Sequence, residues 1–175
     1  MLLMKSSGNA KKTAFCAVFA AAIVAILAVG SLIDVLDFSL ALIAGTVVMI
    51  VDLEFSEGYA WSVFTVSALL SFLLPVRSAP LFYTLFFGWY PLFRKHIRNL
   101  SRFLRILIKA VLLNALTTAM LFASVYLFGA EREPLWMILV TFLLANLVML
   151  LYDPALDRLS AFYLFHLRDR LGFHR

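Results

Sequence analysis

The sequence predicts an all-α integral membrane protein, a bundle of six transmembrane helices in a single domain that covers residues 1–175. Three observations predict this fold class. First, 64% of the residues are hydrophobic and the mean hydropathy is +0.99. Second, only 14% are charged, against roughly 25% in soluble domains. Third, six windows without Asp, Glu, Lys or Arg follow one another along the chain. A bilayer requires that pattern, because a charge at its centre costs about 2.5–3.5 kcal/mol.

The chain offers six segments near the length that crosses a bilayer. A helix needs about 20 residues, with a range near 17–25, to cross about 30 Å. The fifth segment has that length, and its helix is expected to begin earlier still, inside the preceding basic block; Pro134 suits the first turn of the sixth. The second and fourth are short and are expected to tilt or to be shielded by neighbours. The predicted spans are about 13–33, 38–53, 59–76, 78–93, 106–129 and 134–152.

The basic residues predict the orientation of these spans. Of the 15 Lys and Arg, all but Arg77 and Arg132 fall into the blocks 5–12, 94–109 and 158–175. Six spans place these three blocks on one side, and the positive-inside rule makes that side the cytoplasm. We therefore expect a multi-pass protein of the cell (cytoplasmic) membrane with both termini inside.

Two amphipathic segments, at about 94–105 and 155–171, are expected to lie along the inner membrane surface. In the first, basic residues at 94, 98, 102, 105 and 109 recur at helical spacing and form one stripe. That stripe is typical of an interfacial helix on anionic headgroups, or of a docking surface for a protein partner. The second segment begins near Pro154 and lies on the surface or extends the last span.

Several classes of function are not expected. The net charge of +5 is distributed as topology requires, so no nucleic-acid partner is predicted. Cys16 is the single cysteine, which excludes an intrachain disulfide and a cysteine metal cluster. No metalloprotease, phosphate-loop or serine-nucleophile motif is present. We expect no enzyme, no catalytic residue, no metal and no cofactor. A cleaved signal peptide is the alternative at the N-terminus, but five further apolar windows argue against it.

The first span carries a face of small residues. Its alanines at 14, 17, 21, 25 and 28 are spaced by three or four residues and share one side of a helix. Such a face allows the close backbone approach that drives helix association in lipid. It packs within this bundle or docks onto another membrane subunit, with Ala17, Ala21 and Ala25 as the candidate docking residues.

The stretch KKTAFCAVFAAA that begins at Lys11, after a short basic N-terminus, resembles the start of the S-component, the substrate-binding membrane subunit of energy-coupling factor transporters. The match covers the first helix, and the remainder of the chain agrees in size and topology. The resemblance implies six spans, and docking of the first helix onto a coupling protein with ATPases. It also implies binding of a vitamin or other micronutrient from outside. A weaker resemblance, to the small membrane subunit of rod-shape complexes, makes a non-catalytic scaffold of cell-envelope assembly the alternative.

The resemblance also implies a ligand site in the outward half of the bundle. Carried over by position, the candidate residues are Asp34, Asp37, Arg77, Tyr83, Thr117, Thr118 and Trp136. Five of them have a structural explanation as well: the aspartates as a hydrated loop, Arg77 and Trp136 as interface anchors, and Tyr83 as packing. No ionisable residue is expected well inside a span, which disfavours an ion-coupled carrier.

Asn114 and Asn146 form a predicted interhelical polar pair. They lie on consecutive antiparallel spans, and their depths differ by roughly 3 Å at about 1.5 Å per residue. A hydrogen bond between them contributes about 0.6–2 kcal/mol in a membrane. A polar lining to a substrate cavity is the alternative.

Overall fold

The computed structural model describes residues 2–33, 36–74, 78–126 and 134–167. Every regular element in those ranges is helical, so the predicted all-α class is confirmed. The α-helices are α1 (Leu2–Leu32), α2 (Asp37–Glu54), α3 (Glu57–Ser71), α4 (Ser78–Phe82), α5 (Tyr90–Ile97), α6 (Arg102–Tyr126) and α7 (Leu135–Phe162). Two π-helical segments, Tyr83–Phe87 and Tyr163–Leu167, follow α4 and α7.

Three helices are long and apolar enough to cross a membrane. Their apolar stretches, Ala10–Leu32, Phe103–Phe122 and Leu135–Phe165, contain 23, 20 and 31 residues. At about 1.5 Å per residue, each reaches about 30 Å or more. They coincide with the first, fifth and sixth predicted spans, and by helix length and composition they make this chain a membrane protein.

The second, third and fourth predicted spans form shorter or broken helices. α2 has 18 residues and holds Asp37, Asp52 and Glu54 near its ends. α3 has 15 residues, or about 22 Å. The fourth span is divided among α4, the π-helical segment Tyr83–Phe87 and α5. Length and composition therefore support three crossings, and the predicted number of six is not confirmed.

The chain divides into two compact units. Unit 1 contains Met1–His96 and Phe162–Arg175, and unit 2 contains Ile97–Ala161. Unit 1 therefore holds α1 to α4 and α5 as far as His96. Unit 2 holds α6, and α7 as far as Ala161.

The helices of unit 1 run alternately in opposite directions. Near the start of the apolar stretch Ala10–Leu32 of α1, the Phe15 ring stacks on Phe55, which follows α2, with ring centroids 6.3 Å apart. At the far end of α1, a Cβ atom built on Gly30 would lie 3.2 Å from the Cβ of Ala79 in α4 and 3.3 Å from the Cβ of Leu40 in α2. α1 is therefore antiparallel to α2, and the beginnings of α2 and α4 lie beside the end of α1.

An ion pair and a histidine–carboxylate contact define one end of unit 1. Lys95 Nζ lies 3.3 Å from Asp52 Oδ1, and His96 Nε2 lies 3.4 Å from Glu57 Oε1. α5 therefore ends beside the turn between α2 and α3. We call this the acidic end of unit 1, and we call the opposite end, which holds Asp37, the Asp37 end.

The interior of unit 1 is built largely from small residues. The buried stripes are Cys16, Ala20, Ile23 and Leu27 on α1, and Ala41, Ala44, Gly45 and Val48 on α2. Small side chains let helix backbones approach closely, which is what favours packing where lipid removes the usual hydrophobic drive. Gly88 serves the same purpose: a Cβ atom there would lie 2.5 Å from Phe64 Cε2 and 2.9 Å from Tyr83 Cε2. Only glycine fits this approach.

The structure corrects the predicted amphipathic helix at 94–105. α5 ends at Ile97 and α6 begins at Arg102, so the basic residues do not share one helix. Ser101 explains the new start, because its Oγ accepts a hydrogen bond from the Leu104 backbone N–H at 3.4 Å, as a capping residue does.

The predicted surface segment at 155–171 is corrected as well. α7 passes through Pro154 without ending and continues to Phe162, where the π-helical segment Tyr163–Leu167 follows. The first part of this segment is therefore an extension of the last span, and residues 168–171 lie outside the described residues.

Candidate functional site

The buried polar side chains of unit 1 gather toward the Asp37 end. Ser31 and Asp37 are each 5% exposed, and Ser67 and Ser71 are 0% exposed. Tyr83, whose side chain is also 0% exposed, belongs to the same half of the unit. Toward the acidic end, the buried residues are mostly apolar, from Cys16 and Val51 to Leu92, although Tyr90 and the Oε1 atom of Glu54 are buried there too. The buried serines and Asp37 are therefore concentrated in one half of unit 1.

The serines of this polar half donate their protons to backbone carbonyls of their own helices. Ser31 Oγ donates to Leu27 O at 2.9 Å, and Ser71 Oγ donates to Ala68 O at 2.8 Å. Such bonds occupy the hydroxyl hydrogen and leave the oxygen able to accept. What the Ser71 hydroxyl can offer a further group is therefore an acceptor.

Tyr83 and Ser67 connect α3 to the π-helical segment. The Tyr83 hydroxyl lies 2.8 Å from Ser67 Oγ, and Ser67 Oγ lies 2.7 Å from Val63 O. If Ser67 donates to Val63, Tyr83 must donate to Ser67. π-helical turns recur at functional sites, but the hydroxyl that we expected to meet a ligand is bonded inside the bundle here.

Asp37 is the charged residue of this polar half. It lies in the first turn of α2, on the stripe that Ala41, Ala44 and Val48 continue into the core, and it is 5% exposed. Its Oδ1 atom has no hydrogen-bond partner among the described residues. Asp37 is therefore an interior acceptor, and not the hydrated loop residue that was the alternative expectation.

The other candidate ligand residues are dispersed. Asp34 and Arg77 lie outside the described residues. Thr117 is 5% exposed and donates to Leu113 O at 2.9 Å, and Thr118 is exposed and donates to Asn114 O at 2.8 Å. Trp136 is 65% exposed. The last three belong to unit 2, whereas Asp37 and Tyr83 belong to unit 1.

The alanine face of α1 is exposed. Ala17, Ala21 and Ala25 are all exposed, whereas Ala20 and Ile23 on the opposite face are buried. α1 thus uses one face for the core of unit 1 and presents the small-residue face outward.

Two polar contacts join the antiparallel helices α6 and α7 in the described part of unit 2. Asn146 Nδ2 donates to Asn114 Oδ1 at 2.9 Å, and Lys109 Nζ donates to Asp153 Oδ2 at 2.6 Å. Lys109 is 8% exposed and lies within the apolar stretch Phe103–Phe122. Lys109 is the seventh of the 20 residues of that stretch, so it lies nearer the start of the stretch than its middle.

The sequence contained signals for the residues that we missed. Lys109 precedes Asn114 by five positions and Asp153 follows Asn146 by seven, so the depth argument for the asparagines extends to this ion pair. Ser67 and Ser71 are separated by one helical turn, but serines are too common in membrane helices to be distinctive.

The described residues contain no group of three His, Cys, Asp or Glu side chains placed to hold a metal ion. Comparisons with protein-family models, curated proteins and solved structures found no match to this chain.

Proposed function

We propose that this chain is a six-span, S-component-like membrane subunit. It binds a small molecule of the vitamin or other micronutrient class from outside the cell, and a separate ATPase module drives uptake. It docks onto the membrane coupling protein of that module through Ala17, Ala21 and Ala25. It needs no cofactor and performs no catalysis.

The exposed alanine face of α1 is the observation that carries the proposal. Ala17, Ala21 and Ala25 are exposed, while the other face of the same helix packs into unit 1. Lipid tails gain little from a flat alanine surface, whereas another helix gains close backbone contact. A membrane helix of a coupling subunit is the occupant that suits this face.

The antiparallel arrangement of unit 1 supports four of the six crossings. α1, α2, α3 and the α4–α5 segment connect the acidic end and the Asp37 end in alternate directions, and α2 alone, with 18 residues, extends about 27 Å. Lys95 and His96 lie at the acidic end with Asp52 and Glu57. The positive-inside rule then favours a cytoplasmic acidic end, which leaves the Asp37 end facing outward, where a ligand would enter.

Neighbouring alanines provide a matched test of the docking face. Ala21 and Ala22 are both exposed on α1, but a step of one residue turns a helix by about 100°, so only Ala21 lies on the stripe. The tagged chain is purified in mild detergent from its native host, and co-purified proteins are identified by mass spectrometry. We expect a membrane subunit with two ATPases to accompany the wild type and the Ala22→Leu variant, and to be lost with Ala21→Leu.

Two results contradict the proposal. Association that survives Ala21→Leu removes docking through α1. Co-purification with cell-envelope assembly proteins and no ATPase favours the scaffold alternative. Equal thermal stability of the two leucine variants is the control that separates lost docking from lost folding.

A further inference from the structure

The polar half of unit 1 offers acceptors to a ligand. The Asp37 carboxylate only accepts hydrogen bonds when ionised, and its Oδ1 atom has no partner among the described residues. The Ser71 hydroxyl has donated its hydrogen to Ala68 O. A negatively charged site that accepts hydrogen bonds selects a group that is positively charged and donates them.

Burial makes the Asp37 carboxylate energetically unfavourable as long as its Oδ1 atom has no hydrogen-bond donor. Asp37 is 5% exposed, and a buried acceptor without a partner carries an uncompensated loss of hydration. A carboxylate inside a membrane bundle is in general a functional feature, because it is rare there and expensive. A bound cation would remove the cost, since a charged donor gives the stronger class of hydrogen bond.

Aromatic rings accompany Asp37 at this end of unit 1. Phe38, the next residue of α2, packs edge-to-face on Phe82 at 5.5 Å and on Phe87 at 5.0 Å between ring centroids. Aromatic faces attract cations and also receive apolar groups. Rings and a buried carboxylate at the same end of a helical unit are a combination that suits an organic cation.

A metal ion suits the same residues poorly. Calcium takes six to eight oxygen ligands and magnesium a regular octahedron (about six), whereas no three His, Cys, Asp or Glu side chains gather in the described part of the chain. One carboxylate with hydroxyls and rings matches a single protonated nitrogen on a carbon skeleton better.

We infer that the small molecule bound by this chain is an organic cation whose protonated nitrogen binds the Asp37 carboxylate at the Asp37 end of unit 1. This inference rests on the proposed capture of a small molecule and deepens it by naming the chemical class. It concerns residues of unit 1 alone.

The test compares three probes of equal carbon length on purified protein. They are n-butylammonium chloride, n-butanol and sodium butyrate, at equal concentration and ionic strength, and the readout is the thermal unfolding midpoint. A ligand that binds the folded state raises that midpoint. We expect n-butylammonium to raise it in the wild type, and the alcohol, the carboxylate and sodium chloride alone to have no such effect.

Asp37→Asn and Asp52→Asn are the matched variants, because both change an aspartate of α2. Asp52 lies at the acidic end and pairs with Lys95, so Asp52→Asn should keep the response to n-butylammonium. Asp37→Asn should weaken the apparent affinity about tenfold or more, the loss expected for a hydrogen bond to a charged group. Without ligand, Asp37→Asn should be at least as stable as the wild type, because it removes a buried charge.

Several outcomes overturn the inference. These are no response of the wild type to n-butylammonium, an equal response in Asp37→Asn, or an equal effect of sodium chloride. A lower midpoint of ligand-free Asp37→Asn also overturns it, since Asp37 would then be held by a partner in the folded chain. Native mass spectrometry that finds a retained molecule without a basic nitrogen does the same. Failure of docking is separate: Ala21→Leu should lose the coupling subunit and keep the cation response.

Discussion

Lys109 Nζ donates to Asp153 Oδ2 at 2.6 Å, across the antiparallel pair that α6 and α7 form. Lys109 is 8% exposed and lies inside a stretch that is apolar enough to cross a membrane. A single charge in that setting costs about 2.5–3.5 kcal/mol on insertion scales. The pair allows both helices to carry a charge at that depth, and it fixes how far one helix is shifted along the other.

Loss of one partner of this pair should destabilise the protein strongly. Lys109→Met removes the ammonium group that donates to Asp153 at 2.6 Å, and breaking a buried pair costs roughly 3–5 kcal/mol. Because the Asp153 side chain is 31% exposed, we expect the lower end, about 3 kcal/mol. The measurement is the free energy of unfolding in lipid or mild detergent.

Two control variants show whether the loss of stability comes from breaking a buried ion pair. Lys95→Met breaks a longer pair, at 3.3 Å, in which the lysine side chain is 55% exposed and the Asp52 side chain 11% exposed; because one partner is open to solvent, it should cost less than Lys109→Met, about 1 kcal/mol. The double variant Lys109→Met/Asp153→Leu removes both charges and should regain most of the lost stability. Equal costs for Lys109→Met and Lys95→Met would show that the α6–α7 pair contributes no more than a surface contact.

The asparagine pair should contribute less than the ion pair. Asn146 Nδ2 lies 2.9 Å from Asn114 Oδ1 and 2.8 Å from Phe142 O, so part of its hydrogen bonding remains if Asn114 is changed. A double-mutant cycle with Asn114→Val and Asn146→Val should give a coupling energy of about 0.6–2 kcal/mol. A coupling energy of zero contradicts the predicted interhelical polar pair, and leaves the lining of a cavity as the explanation for the two amides.

The long helices could be predicted from the sequence because hydropathy reports them directly. The apolar stretches of α1, α6 and α7 can be identified from their own length and hydropathy, without knowledge of the helices that they pack against. The break between Ile97 and Arg102 could not be predicted from the sequence, because the basic residues on both sides of the turn keep the spacing of one continuous helix. Capping by Ser101 sets the start of α6, and the spacing of the basic residues does not predict that start.

Part of the candidate site could be predicted as well. Asp37 was recognised by its position in the chain, but its burial depends on α2 presenting the residue on its core stripe. The Ser67–Tyr83 bond joins residues 16 positions apart through a π-helical segment. Such a segment shifts the register of all residues after it, so helical spacing in the sequence does not predict which hydroxyls meet.

Two glycines should respond oppositely to alanine. At Gly88 a Cβ atom would meet the Phe64 ring at 2.5 Å, whereas at Gly58 nothing lies within 4 Å. Gly88→Ala should therefore destabilise the protein by about 1–3 kcal/mol, the usual cost of overpacking. Gly58→Ala, near the start of α3, should be neutral or stabilise by up to about 1 kcal/mol. Thermal unfolding of both variants checks this, and a harmless Gly88→Ala contradicts the close packing of α3 on the π-helical segment.

The number of crossings can be tested with single cysteines at the two ends of α2. Leu36 is 39% exposed and precedes α2, and Ser56 is exposed and follows it. The native Cys16 is replaced by serine, and Leu36→Cys and Ser56→Cys are each treated with a membrane-impermeant thiol reagent on intact and permeabilised cells. If α2 crosses the membrane with its acidic end inside, Leu36→Cys should react in intact cells and Ser56→Cys only after permeabilisation.

Each of the other labelling patterns indicates a different membrane topology. Labelling of Ser56→Cys alone in intact cells means that the acidic end faces outward, in conflict with the positive-inside rule applied to the basic blocks. Labelling of both cysteines from the same side means that α2 does not cross, because its 18 residues would then begin and end at one membrane surface. In that case the three long helices are the crossings, α2 and α3 form a hairpin that does not cross, and Asp37 has no outward face through which a ligand could enter.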